Sequence, residues 1–344
     1  MMLPPVPRKS SPNNLPEPRA GTGRVRGVPD PPVGMGMMEQ TVATRSGAIA
    51  RVRRRGYRSH DALWGMAFVM PVFVLFVIFR FGPVLASIAL SFTKYEIGGD
   101  VTWLGLRNYR QMIGDDVFWQ SLKVTAVYTG IVLPLTTLTS LALALLVHRT
   151  MRGMGLFRAI FFLPYVTSTV MTAIIWLWIL RPTSTGLLNS LLGVMGYDPV
   201  AWLQQKSTVL PALAVMSTWK GFGYSMLILV AGLQAIPQMY HEAARVDGAG
   251  PWQLFRHITL PLLRPVLFFV IVIESISSFQ VFDAVYVMTS GGPARASHSL
   301  VYMIYNQGFV YFNFGYAATI GVALFCLIFL LTLIERRFMG RSDA

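Results

Sequence analysis

Two ionisable side chains stand where such groups are costly. Lys220 and Glu274 each lie near the middle of a long apolar run, and a charge in hydrocarbon persists where it is paired, hydrogen-bonded or used. They could pair with each other, pair with another subunit, or line a polar path. Around them Trp219, Tyr224, Ser225, Ser275, Ser278, Gln280 and Asp283 offer aromatic faces, hydroxyls, an amide and a carboxylate. Such groups hold a polyhydroxylated solute; the competing reading is that hydroxyls and small residues only join helices to one another. Thr167, Ser168, Thr169 and Thr172 carry the same two readings. No catalytic constellation is written in the chain. His60, His148, His241, His257 and His298 lack metal-ligand spacing, and no Gly-x4-Gly-Lys-Ser/Thr phosphate loop occurs. Cys326, the one cysteine, excludes an intramolecular disulfide and a Cys-based metal site and reads as a packing residue.

The elements that must position these groups are membrane spans. Hydrophobic residues make up 54% of the chain and charged ones 13%, where a soluble domain carries roughly a quarter charged. Six apolar stretches, near 62–92, 120–147, 159–180, 208–235, 265–287 and 314–335, each reach the ~20 residues that cross a bilayer. In the first, Arg80 falls near the far interface, and Gly82–Pro83 is expected to bend the remainder onto the outer surface. A net charge of +14 could suggest nucleic acid, but the basic residues cluster between the apolar runs. With the N-terminus inside, twenty Lys and Arg fall in inner segments. Six fall in outer ones: Lys94, Arg107, Arg110, Arg181, Lys206 and Arg295. The positive-inside rule then puts both termini in the cytoplasm. Trp103, Trp119, Trp176, Trp178, Trp202, Tyr311 and Phe312 sit near the outer ends, as interface anchors do.

Residues 1–60 are rich in proline and glycine and close on a basic run, Arg51 to Arg58; the expectation there is a disordered cytoplasmic tail. Met35, Met37 and Met38 offer alternative starts within it. No fixed-period repeat and no inverted duplication is evident, which weakens the case for a secondary transporter.

Between the fourth and fifth stretches runs Pro237 to Pro261, reading as two short helices joined by a turn. Glu242 and Arg245 stand three apart and can pair. Ala243 and Ala244 leave a smooth patch, and Gly248 supplies a positive φ for the turn. Leu254, Phe255 and Ile258 give an apolar stripe, and Pro261 and Pro265 set the re-entry into the membrane. Such a loop could dock on another protein or lie on lipid.

Glu242-Ala243-Ala244, then Asp247-Gly248-Ala249, then Leu260-Pro261 and Pro265 resembles the cytoplasmic "EAA" loop of binding-protein-dependent ABC importer permeases. The form is similar to the sugar-uptake branch, to maltose and glycerol-3-phosphate permeases of the first-subunit type. Gly105-Leu106-x-Asn108-Tyr109, Phe162-Leu163-Pro164, Trp219-x-Gly221-Phe222, Phe279-Gln280-Val281-Phe282-Asp283 and Gly291-Gly292-Pro293 extend the likeness over roughly 60–340. It implies an all-α integral membrane fold: a transmembrane domain over 61–340 with six helices and a coupling helix between spans four and five. That helix would dock on a cytoplasmic ATPase through Glu242, Ala243, Ala244, Arg245, Asp247, Gly248 and Pro261. The path would be lined by Trp219, Lys220, Tyr224, Ser225, Glu274, Ser278, Gln280 and Asp283.

The resemblance also implies partners. They are a homologous permease in a heterodimer, two ATPase subunits holding ATP and Mg, and an extracytoplasmic solute-binding protein. The chain is then a non-enzymatic transport subunit of the plasma (bacterial inner) membrane, with no cofactor or metal of its own and no nucleic acid. Its solute is read as a sugar or sugar derivative, leaning to a neutral one because Lys220 is the lone cation of the path. The alternative is an ATP-independent secondary transporter or channel, with a membrane enzyme behind it.

Overall fold

The computed structural model describes residues 63–95, 100–148 and 153–339. The tail expected over 1–60, His60, Arg149, Arg152 and the last residues of the chain lie outside them. The chain divides into two compact units, Met1–Val74 and Leu75–Ala344. The described residues are mostly helical.

The first helix, Leu63–Leu90 (α1), is one continuous span. Next to Gly82–Pro83, where a bend was expected, a π-turn runs over Val77–Phe81, in which the Gly82 N–H donates to the Val77 carbonyl. Pro83 has no N–H and its ring crowds the preceding turn, so a wider turn absorbs the defect and the helix runs on. A two-residue hairpin, Thr93–Lys94 (β1) against Thr102–Trp103 (β2), comes next. Then come Arg107–Ile113 (α2) and Asp116–Val147 (α3). The Asp115 carboxylate caps α3 by accepting from Val117 N at 2.8 Å.

The third apolar stretch is broken. Met154–Val166 (α4) and Thr169–Ile179 (α5) meet at 95°, where one straight helix over 159–180 was expected. Pro164 lies near the end of α4, and Thr167 and Ser168 are extended. A short helix, Leu187–Val194 (α6), leads to Val209–Ala235 (α7). The loop after α7 folds as Gln238–Val246 (α8); the second short helix expected there is instead the start of Pro251–Phe279 (α9), which is long and apolar enough to cross a membrane. Here the apolar stretch expected to end at 287 stops at Phe279. Gln280 and Val281 turn, and Asp283–Met288 (α10) is a separate helix. Leu300–Tyr305 (α11) and Phe314–Met339 (α12) complete the chain. By length and apolarity five of the described helices can cross a membrane, or six if the bent pair counts as one.

Helices α3 and α7 form the most extensive pairing, and polar side chains join them. Tyr128 Oη donates to Ser217 Oγ (2.6 Å), Thr136 Oγ1 to Thr218 Oγ1 (3.2 Å) and Ser140 Oγ to the Phe222 carbonyl (3.0 Å). Gly223 is an obligate close approach, because a Cβ there would collide with the Phe161 carbonyl of α4. Cys326, expected to pack, stands exposed on α12.

Candidate functional site

Helices α3, α7, α9 and the α9–α10 turn, with the break between α4 and α5, enclose a cavity of about 270 Å³. Lys220, Tyr224, Glu274, Ser278, Gln280 and Asp283 all line it. The structure leaves the other two expected lining residues aside. Trp219 meets Trp176 edge-on at 6.0 Å. Ser225 is fully buried and donates to Glu274 Oε1 at 2.5 Å. Ser275 points elsewhere, donating to Glu335 Oε1 of α12 at 2.6 Å.

Lys220 and Glu274 share the cavity without pairing. The Lys220 ammonium donates to the Thr167 carbonyl at 2.7 Å and the Tyr165 carbonyl at 3.2 Å, and lies 5.8 Å from the Tyr165 ring centre. These are carbonyls that the break between α4 and α5 strips of helical partners. Backbone acceptors at membrane depth must be satisfied within the protein, and a cation at a helix C-terminus also suits the dipole. Thr167 Oγ1 meets a third, the Pro164 carbonyl, at 2.6 Å. The Tyr165 ring stacks on Tyr224 at 4.7 Å and 13°, giving the cavity an aromatic wall.

Tyr128, Tyr165, Ser217, Ser277 and Phe282 line the cavity too and were not foreseen. Pro164 and the run Thr167–Ser168–Thr169 were the available signal for a broken helix that exposes Tyr165. Phe282 belongs to an aromatic group with Tyr286 (5.3 Å) and Tyr305 (5.2 Å) beside the α9–α10 turn.

Beyond α10, the Gly291-Gly292-Pro293 loop closes on a buried histidine. Asn306 Nδ2 can only donate to His298 Nε2 (3.2 Å), so the ring proton sits on Nδ1 and faces Ser121 Oγ (2.8 Å). Burial first, then Arg295, holds the His298 pKa below its ordinary value. Gly291 has φ +77°, and a Cβ there would come within 2.7 Å of the Tyr302 ring. The Gly105-Leu106-x-Asn108-Tyr109 motif is a similar clamp. Asn108 Nδ2 donates to the carbonyls of Ser91 (3.0 Å) and Thr93 (2.9 Å), while Tyr109 Oη meets Ser91 Oγ at 2.7 Å.

At the other end of α9 stands the loop. Glu242, Ala243, Arg245, Asp247, Gly248 and Pro261 are exposed, and Ala244 is half-buried. Gly248 has φ +81° and lies just past the end of α8. The Ala249 N–H returns to the Ala244 carbonyl at 2.9 Å, closing the turn. Glu242 and Arg245 share α8 but close no ion pair among the described residues. Gln253 Oε1 accepts from Gly250 N (2.8 Å), starting α9. Large apolar side chains, Met239, Tyr240, Val246 and Trp252, are exposed around the turn. A π-turn over Phe255–Thr259 sits just before Pro261 and keeps α9 continuous from the loop to Phe279.

The model of the family described as binding-protein-dependent transport system inner membrane component matches residues 137–341. The chain belongs to this family. It is 38% identical over 296 residues to a probable ABC transporter permease protein, YesP, of Bacillus subtilis, covering 85% of this chain and 94% of that one. It is 33% identical over 283 residues to the trehalose/maltose transport system permease protein MalF of Thermococcus litoralis (80% and 92% covered). To the sn-glycerol-3-phosphate permease UgpA of Agrobacterium fabrum it is 35% identical over 282 residues (79% and 93%). Its fold matches a crystal structure of a bacterial ABC transporter that imports the acidic polysaccharide alginate. The TM-score is 0.72 at 23% identity, with 84% of this chain and 100% of that one covered. Family membership places this apolar, multi-pass chain in the inner membrane.

Proposed function

We propose that the chain is one permease subunit of an ATP-binding-cassette importer that takes up a sugar or sugar derivative. Its transmembrane domain spans 61–340 and crosses the bilayer six times, the bent pair α4–α5 making one crossing, with both termini in the cytoplasm. A homologous permease completes the path, an extracytoplasmic binding protein delivers the solute, and two ATPase subunits carrying ATP and Mg dock on α8 and the Gly248 turn.

One observation carries the reading: α9 is a single helix with the exposed loop at its start and Glu274 and Ser278 on the cavity wall near its end. A push on the turn at Gly248 therefore moves the cavity wall with little loss. Glu242 and Asp247 would make charge-assisted contacts with the ATPase. Ala243 and Gly248 let its backbone come close, Arg245 supplies a cation, and Pro261, exposed within the first turns of α9, completes the docking surface. The Tyr165–Tyr224 stack with Gln280, Ser278 and Asp283 suits a sugar, whose apolar ring face lies on aromatics while its hydroxyls meet amide and carboxylate. Trehalose/maltose, named for one relative, fits that class of solute; sn-glycerol-3-phosphate, named for another, is acyclic and anionic and does not.

The experiment is affinity purification from native membranes of the wild type, Gly248→Trp and Glu242→Lys. An ATPase and a second permease should accompany the wild type, and the ATPase alone should be lost from the variants. Transport that persists without ATP, with no ATPase recovered from any sample, would give the chain to the secondary transporters.

A further inference from the structure

Helix α6 takes no part in the cavity, and its apolar residues fall on two faces. Leu188 packs on the core cluster that includes Ala173, Leu180 and Val209. Leu187, Leu191, Val194 and Met195 recur at helical spacing on the other face and are 43, 58, 88 and 71% exposed. Tyr197, two residues on, is also exposed. No charged residue occurs from Leu187 to Tyr197.

Asn189 fixes the level of this helix. Its Nδ2 donates to the carbonyls of Arg181 (2.8 Å) and Val200 (2.9 Å), and its Oδ1 accepts from Val200 N and Trp202 Nε1, both at 3.0 Å. That uses two amide donors and both acceptor sites. Arg181 lies two residues past the end of α5, and Trp202 packs on the same core cluster. Asn189 thus ties α6 to the segment just past α5, while Leu188 packs on the cluster that includes Val209, the first residue of α7, a helix long and apolar enough to cross a membrane.

We propose that α6 is an interfacial anchor whose Leu187–Leu191–Val194–Met195 stripe inserts into the headgroup–acyl boundary of the bilayer. The occupant is lipid. Ile175 and Trp178, near the end of the helix beside which Asn189 is tied, are exposed and apolar too, and the stripe presents no charge for a protein partner to read. Tyr197 has the amphipathic ring that favours this depth. Inserted, the helix would hold the ends of the third and fourth crossings at constant depth while other segments move. The inference needs only that the apolar helices lie in a bilayer, not that the chain belongs to an importer driven by ATP.

The single cysteine makes the test direct. On a Cys326→Ala background, the full chain carrying Val194→Cys is labelled with bimane in nanodiscs, with Leu191→Cys as a second stripe site. Ser184→Cys, exposed in the same connection, is the comparison. Stripe labels should lose fluorescence to doxyl-labelled lipid and resist aqueous iodide, with Ser184 showing the reverse. Stripe labels quenched by iodide like Ser184 and indifferent to doxyl lipid would overturn the proposal. So would labels shielded only when a second subunit or a binding protein is added, which would assign the face to protein.

Discussion

Replacing Lys220 by Met should loosen the break between α4 and α5 more than it harms any other part of the chain. The ammonium holds the Thr167 and Tyr165 carbonyls at 2.7 and 3.2 Å. A hydrogen bond from a charged donor contributes about 1.5–3 kcal/mol, and the Thr167 bond is the shorter and stronger. The site is open to the cavity, so water can take over part of the work, and a net loss of about 2 kcal/mol is the reasonable expectation. Methionine keeps the stem and its packing, so the loss isolates the charge. Every 1.4 kcal/mol is tenfold in an equilibrium, so local opening should rise roughly thirtyfold. Hydrogen exchange read by mass spectrometry reports it: faster exchange in the turns flanking Thr167 and Ser168, with α12 unchanged. Lys220→Arg should not restore protection fully, since a planar fork fits two carbonyls on one side of a point charge poorly. Unchanged exchange at the break would refute the pinning argument. If transport were lost at the same time, Lys220 would act on the solute instead.

Ser225→Ala should destabilise the chain by about 1–3 kcal/mol, because Glu274 is buried and loses its hydroxyl donor; thermal unfolding in detergent checks it, and Glu274→Gln in the same background should recover part of the loss. His298 is held below its ordinary value of 6.5, so the unfolded chain binds the extra proton first. Stability should then be full above pH 6.5 and fall as pH drops through it, and His298→Gln should flatten that fall in melts across the range. Gly223→Ala should sharply reduce folded protein in the membrane, since its Cβ would collide with backbone rather than with a movable side chain; size-exclusion profiles of the purified variant report it.

Much of the fold is legible in the residues, because a span declares itself by length and apolarity alone. Boundaries are less so. The run to 287 stays apolar through Val281, Phe282, Val285 and Val287, yet the helix stops at Phe279 because Gln280 and Val281 form a turn against the cavity. Nor does hydropathy register the 95° break, since Pro164 and the extended Thr167–Ser168 interrupt the backbone without making it more polar. The turn of the loop was readable because Gly248 and its neighbours obey local rules of turn and cap; its second helix was not, because the π-turn over Phe255–Thr259 lets α9 run on through Pro261 and Pro265. The cavity was half readable. Lys220 and Glu274 stand out as charges in hydrocarbon, but whether they meet depends on rotamers and on what else competes. Two freed carbonyls win the ammonium from Glu274, and a buried serine satisfies Glu274. Tyr165 went unnoticed because one tyrosine in an apolar run is ordinary until the helix under it breaks.

The polar groups of this chain sort by the kind of work they can do. Asn108, Asn189 and His298 each use their hydrogen bonds within the molecule, fixing a loop beside the end of a crossing. Gln280 and Asp283 are different: they line the cavity with no hydrogen bond from their side chains among the described residues. They sit where α9 gives way to the α9–α10 turn, so they are carried by the helix that begins at the loop. Lys220 stands between the two kinds, with two of its three donors committed to the break and the remainder free to face the cavity. A motion of α9 that brought Asp283 toward Lys220 would therefore draw the ammonium off the Thr167 and Tyr165 carbonyls. The break between α4 and α5 would then loosen as the cavity changes shape, so that the two walls move together through these side-chain contacts.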